Sequence, residues 1–296
     1  MLQKLSLCLL GLLLSQTLSA QLVTTGKLPD FLLESSGLAL GKETTIWTFN
    51  DSGGRQELYQ CNTEGKHLRT VKIKNAPNND WEDITQDLGN FYIGDFGNNG
   101  NKRKTLHIFK ITNPNTTDSL ALKASKISFR FEDQTAFPPP KTEMNFDCES
   151  ILWFENHLYV FTKHRTLPMK TNLYRIPDQP GELIAKRIGS FATGVAQPGE
   201  HPWFGYWITA ADISPDKQKV ALISGTTLWI FYDFEKDLFF EGKMKKIPLG
   251  PNTQKEGVCF LNNDEVIISD EYIRRFDLGG KLYTLDLKPY FDYNVL

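Results

Sequence analysis

The chain has 296 residues, 33 of them Lys or Arg and 35 Asp or Glu, for a formal net charge of −2. That near-balance excludes nucleic acid and an anionic membrane surface as partners, because both are held by clustered positive charge. At 40% hydrophobic and 12% aromatic residues the composition suits one large folded core, not a disordered polymer.

In chain order, residues 1–20 read as a cleaved signal peptide. Lys4 supplies the positive start, Leu5 to Leu14 the apolar run, and Thr17-Leu18-Ser19-Ala20 a small-residue cut before Gln21. That run is too short to span a bilayer, and no later stretch approaches ~18 uninterrupted apolar residues. Residues 21–296 are therefore expected to form a single exported domain, secreted or periplasmic, with no transmembrane segment. Three cysteines lie there, Cys61, Cys148 and Cys259, without C-x-x-C spacing, which argues against zinc or redox chemistry. Cys148 and Cys259 are read either as a disulfide or as buried thiols on inner strands.

A short phrase then recurs five times: Ser36-Gly37-Leu38, Glu82-Asp83-Ile84, Glu149-Ser150-Ile151, Thr209-Ala210-Ala211 and Glu256-Gly257-Val258. Each copy precedes a β-branched or aromatic run: Ile46 to Phe49, Phe91 to Ile93, Leu158 to Phe161, Val220 to Ile223 and Val266 to Ile268. Third strands follow at Leu58 to Cys61, Leu106 to Phe109, Leu173 to Ile176, Leu228 to Phe231 and Leu282 to Leu285. Weaker outer strands are predicted over Leu68 to Ile73, Lys126 to Phe131, Leu183 to Ile188 and Phe239 to Ile247. Spacings of 46, 67, 60 and 47 residues with four short strands each are the mark of propeller blades. The expected fold is all-β, a five-bladed β-propeller; a six-bladed ring, with a hidden copy in a long spacing, is the alternative. The fifth copy has no room for an outer strand, so Gln21 to Lys27 is expected to pair there and close the ring. Glu132 to Phe146 reads as an irregular loop.

The innermost strands of a propeller line its channel, and their equivalent first residues form one ring. Here the ring is Ser36, Glu82, Glu149, Thr209 and Glu256, with Glu34 as an alternative to Ser36. Three carboxylates brought together repel unless one holds a proton or a cation binds between them. All-oxygen, hard ligands suit Ca²⁺ and disfavour zinc or copper; the competing reading has these glutamates bonded to backbone amides around water. The rim at the ends of the second strands gathers acids, cations and aromatics. Asp51, Asp95 and Asp270 are the candidate catalytic bases, and Arg103, Lys163, Arg165 and Trp81 the candidate ligand contacts. Trp203 and Trp207 add further rings there. No G-x-S-x-G occurs, and the glycine pairs after strands open no helix, so serine hydrolase and nucleotide-fold readings fail.

Two resemblances arise at these residues. Asn50-Asp51-Ser52-Gly53, Asp80 to Ile84 and Tyr92 to Asn99 resemble exported propeller proteins of Bacteroidota, near the SdiA-regulated and phytase-like esterase propellers. The inner ring is similar in type and order to that of calcium-activated nucleotidases, the apyrase family. That likeness implies five blades and a Ca²⁺ held by Ser36, Glu82, Glu149 and Glu256, with Thr209 standing where a serine is expected. Two functions stay open. One is a Ca²⁺-dependent hydrolase of phosphoesters or phosphoanhydrides; the other is a non-catalytic module with a structural calcium that binds an anionic small molecule, a saccharide or a protein. No oligomerisation element is evident, so a monomer is expected.

Overall fold

The computed structural model describes residues 22–194, 203–250 and 252–291. The predicted signal peptide and the segment around His201 lie outside them. Strand β1 spans Val23–Lys27. It is followed by β2 (Ser35–Leu40), β3 (Ile46–Asn50), β4 (Glu57–Cys61) and β5 (His67–Lys74). Next come β6 (Trp81–Gln86), β7 (Asn90–Asp95), β8 (Leu106–Thr112), β9 (Ala121–Lys123) and β10 (Ser125–Phe131). Then follow β11 (Asp147–Phe154), β12 (His157–Lys163), β13 (Met169–Pro177) and β14 (Gly181–Gly194). The chain continues with β15 (Ala210–Ile213), β16 (Lys219–Ile223), β17 (Thr227–Tyr232) and β18 (Lys243–Pro248). It ends with β19 (Lys255–Asn262), β20 (Glu265–Asp270) and β21 (Lys281–Asp286).

Within each repeat the strands pair in sequence order as antiparallel ladders, and these are the predicted first, second and third strands. Their β-branched and aromatic residues fit a pleated surface that is covered on both sides. Covering comes from the neighbouring ladder. Trp47, Phe49 and Leu58 pack on Trp81, Phe91 and Phe109; Tyr92 and Ile108 pack on Ile151 and Leu158. Phe161 and Leu173 meet Leu222 and Trp229, and Ile223 and Ile230 meet Val258 and Ile268. Finally Cys259, Ile267 and Leu282 meet Ile46, Tyr59 and Cys61, so the sequence of cores returns to its start. The innermost strands close likewise, β2 beside β6, then β11, β15 and β19, which lies beside β2 again. This is a β-propeller.

Three junctions tie ladders together. β1 pairs antiparallel with β21, Lys27 opposite Lys281, and supplies the outer strand that the last repeat lacks. β9 runs parallel to β5, with Ile73 opposite Leu122, and carries the second repeat's chain onto the edge of the first. β10 runs parallel to β14, Phe129 opposite Leu183, merging two ladders into one eight-stranded sheet. Each junction pairs an edge that would otherwise expose unpaired N–H and C=O groups. One expectation needs correction. Phe239–Glu241 forms a short 3₁₀ turn, and the strand begins only at Lys243, because Phe239 turns into the core beside Phe154 and Tyr159. Of the two readings of the cysteines, the structure has the buried thiols: Cys61, Cys148 and Cys259 are all buried and free.

A bulge is built into four inner strands at the same level. Opposite β7, the register steps from Trp81 to Asp83 and leaves Glu82 unpaired. Opposite β12 it skips Glu149, opposite β20 it skips Glu256, and opposite β3 it breaks between Ser36 and Ala39. An extra residue in one strand has no ladder partner, so its side chain is freed toward the axis. In four of its five copies the recurring phrase in the sequence marks this bulge. The one positive-φ residue in it is Gly37 (φ 62), whose backbone sits against Asp83 where a Cβ would lie 2.9 Å from the Asp83 Cα.

Trp81, one of the proposed ligand contacts, is wholly buried; its Nε1 donates to the Pro77 carbonyl and its ring meets Phe49 edge-on at 5.4 Å. It belongs to the packing between ladders and not to the rim. Trp81→Ala is expected to lower the unfolding free energy by about 3–5 kcal/mol in urea denaturation, and a loss below about 1 kcal/mol would contradict this placement.

Candidate functional site

Where the bulges converge, a cavity of about 160 Å³ opens at the mouth of the channel. Six carboxylates line it: Glu34, Asp51, Glu82, Glu149, Glu256 and Glu271. Ser36 also lines it, and the sole cation among its lining residues is Lys163. Lys163 Nζ stands 2.7 Å from Glu149 Oε2, with both side chains nearly buried. Burial alone would pull this ammonium down, but Glu149, Asp147, Glu256 and Glu82 outweigh it and hold the lysine above its ordinary value. Its ammonium also lies 5.2 Å from the centroid of the Trp207 ring.

The acids respond to the same crowding. Burial, and then the charge of Glu149, lifts Glu82 well above its ordinary value; burial likewise lifts Glu149, against the pull of Lys163. Burial pushes Glu256 up to about 7, and burial with the Glu256 charge pushes Glu271 up to about 8. Asp51 is raised to about 6, chiefly by burial. Glu82 is only 6% exposed, yet its carboxylate accepts no hydrogen bond among the described residues. A carboxylate crowded by others in a poorly solvated cavity favours a proton or a cation, and this one faces that cavity.

The ring expected from the sequence is partly assembled. Glu82, Glu149 and Glu256 face the cavity together. Ser36 reaches it, but its Oγ donates to the Glu82 carbonyl. Thr209 does not line it; its Oγ1 donates to the Lys255 carbonyl, because β15 begins one residue later and carries no bulge. Both hydroxyls thus stitch neighbouring inner strands at one level. Asp80 joins instead: ligand oxygens of Asp51, Asp80 and Glu82 lie within 4.8 Å of one another. Oxygens sharing a Ca²⁺ at ~2.4 Å can be at most roughly 4.8 Å apart, so this trio fits a hard divalent ion. Gly97 lets the trio gather, since a Cβ there would collide with Glu82 Oε1 and Asp80 Oδ2.

Of the three candidate bases only Asp51 reaches the cavity. Asp95 is fully buried: Oδ1 accepts the Asn79 and Asp80 N–H groups, and Oδ2 accepts Arg103 at 3.2 Å. Asp270 is equally buried and accepts the Lys281 N–H at 2.7 Å and the Tyr283 hydroxyl at 2.9 Å. The two arginines are engaged as well. Arg103 donates to the Gly97 and Asp95 carbonyls, and Arg165 Nε donates to Asp147 Oδ2 at 2.8 Å while stacking on Trp207. Deeper in the channel lie acids that the sequence reading passed over. Asp83 accepts the Ile84, Ile151 and Ala211 N–H groups from three inner strands. Asp212 accepts the Phe260 N–H at 2.7 Å. The signal for Asp83 was present: it directly follows the bulged residue, and its side chain alternates into the strand interface.

No protein-family model matches the chain, and no curated protein matches it. Among solved structures it is similar to the PQQ-bound aldose sugar dehydrogenase of Streptomyces coelicolor, at 10% identity and a TM-score of 0.48 over 89% of this chain and 96% of that one. A streptogramin B lyase aligns at 10% identity and 0.42 over 90% and 97%, and a putative gluconolactonase at 11% and 0.45 over 86% and 74%. At that distance none of these activities transfers to this chain.

The crowded acids set a pH dependence. Glu256 and Glu271 bind protons more tightly folded than unfolded, so their contribution is full near pH 4.5 and is lost as pH rises through about 7 and about 8. In chelator the melting temperature is expected to fall between pH 5 and pH 8, and Glu271→Gln to flatten that slope. A metal-free melting temperature that climbs across this window would refute the crowding.

Proposed function

We propose that this chain is an exported five-bladed β-propeller that binds a Ca²⁺-type ion in the acidic mouth of its channel. The observation that carries the reading is the Asp51–Asp80–Glu82 trio, gathered beside a glycine that makes room for it. The five-blade reading is supported by the closed ring of five inner strands, if the eight-stranded sheet is divided at its parallel junction. Export rests on residues 1–20 and is tested by sequencing the N-terminus of the mature protein, which is expected to begin at Gln21.

When bound, such an ion would neutralise the trio and offer open coordination to a hard oxygen of a ligand. Because Arg103, Arg165 and Lys163 are all engaged with acids, an anionic ligand finds no free guanidinium in this cavity. The chain's own residues therefore make the site a cation receptor first. No helix among the described residues is long and apolar enough to cross a membrane.

Hydrolysis of phosphoesters or phosphoanhydrides is the second reading, and one observation favours it. Glu256 and Glu271 line the same cavity with carboxyls that titrate near neutrality. A carboxyl of that kind can take a proton from a water and return it to a leaving oxygen. In this reading Glu256 and Glu271 replace Asp95 and Asp270 as the proton carriers.

Calorimetric titration of chelator-treated protein is expected to find one Ca²⁺ per chain, with Asp80→Asn and Glu82→Gln each weakening binding by ~10-fold or more. Absence of heat, together with a melting temperature indifferent to EDTA, would remove the cation reading. Phosphate release from nucleotides and phosphate monoesters, measured with and without Ca²⁺, separates the two readings: turnover lost in Glu256→Gln supports hydrolysis, and none across the panel leaves a binding protein.

A further inference from the structure

We infer that Lys163 is a tethered counter-ion that holds the axial end of the cavity and limits the protein to one divalent cation, bound at Asp51, Asp80 and Glu82 less tightly than the acids alone would allow. This deepens the cation-binding reading and rests on it, by naming what controls occupancy of that site.

The geometry of Lys163 carries the argument. Its partner across the ladder is Asp147, but that carboxylate is already taken by the Asn98 N–H and by Arg165. Asp95 and Asp270, at the matching ends of β7 and β20, turn their side chains onto backbone N–H groups of their own surroundings. Lys163 turns inward instead, onto Glu149, the unpaired residue of the β11 bulge. Trp207 covers its ammonium, and the indole is itself fixed by its Nε1 donating to the His164 carbonyl at 2.7 Å. The ammonium is thus placed by packing and not by attraction alone.

Its charge acts on five of the six acids of the cavity, Asp51, Glu82, Glu149, Glu256 and Glu271, and on Asp80 beside it. In a small, poorly solvated space that effect is large, because Coulomb energies rise as the effective dielectric falls. Lys163 therefore does two things. It compensates part of the carboxylate repulsion before any ion arrives, and it repels an incoming dication. With the lysine uncharged, Glu149 and Glu256 would become available as ligands beside the trio.

The test is Ca²⁺ titration of chelator-treated wild type, Lys163→Met, Lys163→Gln and Lys163→Arg by calorimetry, with melting temperatures recorded in parallel. Lys163→Met and Lys163→Gln are expected to bind at least ~10-fold more tightly, or to take up a second ion, while Lys163→Arg keeps the wild-type stoichiometry. Folding of Lys163→Met only in the presence of Ca²⁺ is a supporting result too, and Lys163→Gln retains a donor to Glu149 should the methionine variant fail to fold. If wild type binds one ion and both neutral variants bind it with unchanged affinity and number, the inference falls while the cation reading stands. If only the neutral variants bind, Lys163 is the barrier and the reading of the wild type falls. Binding by none of the proteins overturns both.

Discussion

The bulge in the inner strands is the constraint on which the rest depends. A regular antiparallel ladder gives every residue a partner and alternates side chains between two covered faces. Inserting one residue without a partner breaks that alternation locally and turns one side chain out of the ladder. Repeating the insertion in three strands sends Glu82, Glu149 and Glu256 to a common place, and the register break after Ser36 in β2 lies beside it. The backbone thus gathers like charges that no side-chain preference would assemble, and everything else in the mouth answers that concentration. Lys163 answers it with charge, Glu256 and Glu271 with held protons, and the Asp51–Asp80–Glu82 trio with room for an ion.

The other acids near the axis do structural work. Inner strands of neighbouring ladders do not share a hydrogen-bond ladder, so their N–H groups need partners from elsewhere. Asp83 satisfies three of them from β6, β11 and β15, Asp212 reaches β19, and the Thr85 hydroxyl accepts the Trp153 N–H at 3.0 Å. Carboxylates buried in this way are tolerated because N–H donors replace the lost water. Two kinds of acid therefore lie within one channel: those saturated by backbone donors of neighbouring inner strands, which lace the ring, and those that face the cavity, where Lys163 and Gln254 supply side-chain donors to Glu149 and Glu271.

Much of this was legible in the sequence, and the exceptions have physical reasons. The first, second and third strands could be read because burial on both sides demands continuous β-branched and aromatic runs. The ring glutamates could be read because the bulge repeats in the sequence as a phrase. Thr209 misled because its repeat lacks the bulge, which no composition reveals. Asp95 and Asp270 looked like rim acids; only the folded turn shows that Asn79, Asp80 and Lys281 fill their oxygens. β9 is three residues of ordinary polarity, and its parallel pairing with β5 is a long-range contact without local signature. Lys163 was recognised as a rim cation, but its turn toward the axis depends on which neighbour had already claimed Asp147.

The seam between β1 and β21 also has a kinetic meaning. Lys27 pairs with Lys281, so the ring cannot close until nearly the whole chain has left the ribosome. Ladders formed by neighbouring segments can assemble early, since short loops cost little entropy, whereas this last pairing spans the longest loop in the molecule. Until then the mouth has no fixed circumference, and the inner strands carrying Ser36 and Glu256, from the two ends of the chain, are not yet neighbours. The acids of the first and last inner strands meet only at closure. The repulsion of Asp51 on Glu256 and Glu271 therefore enters at that final step, where a cation present at that moment would favour the closed ring.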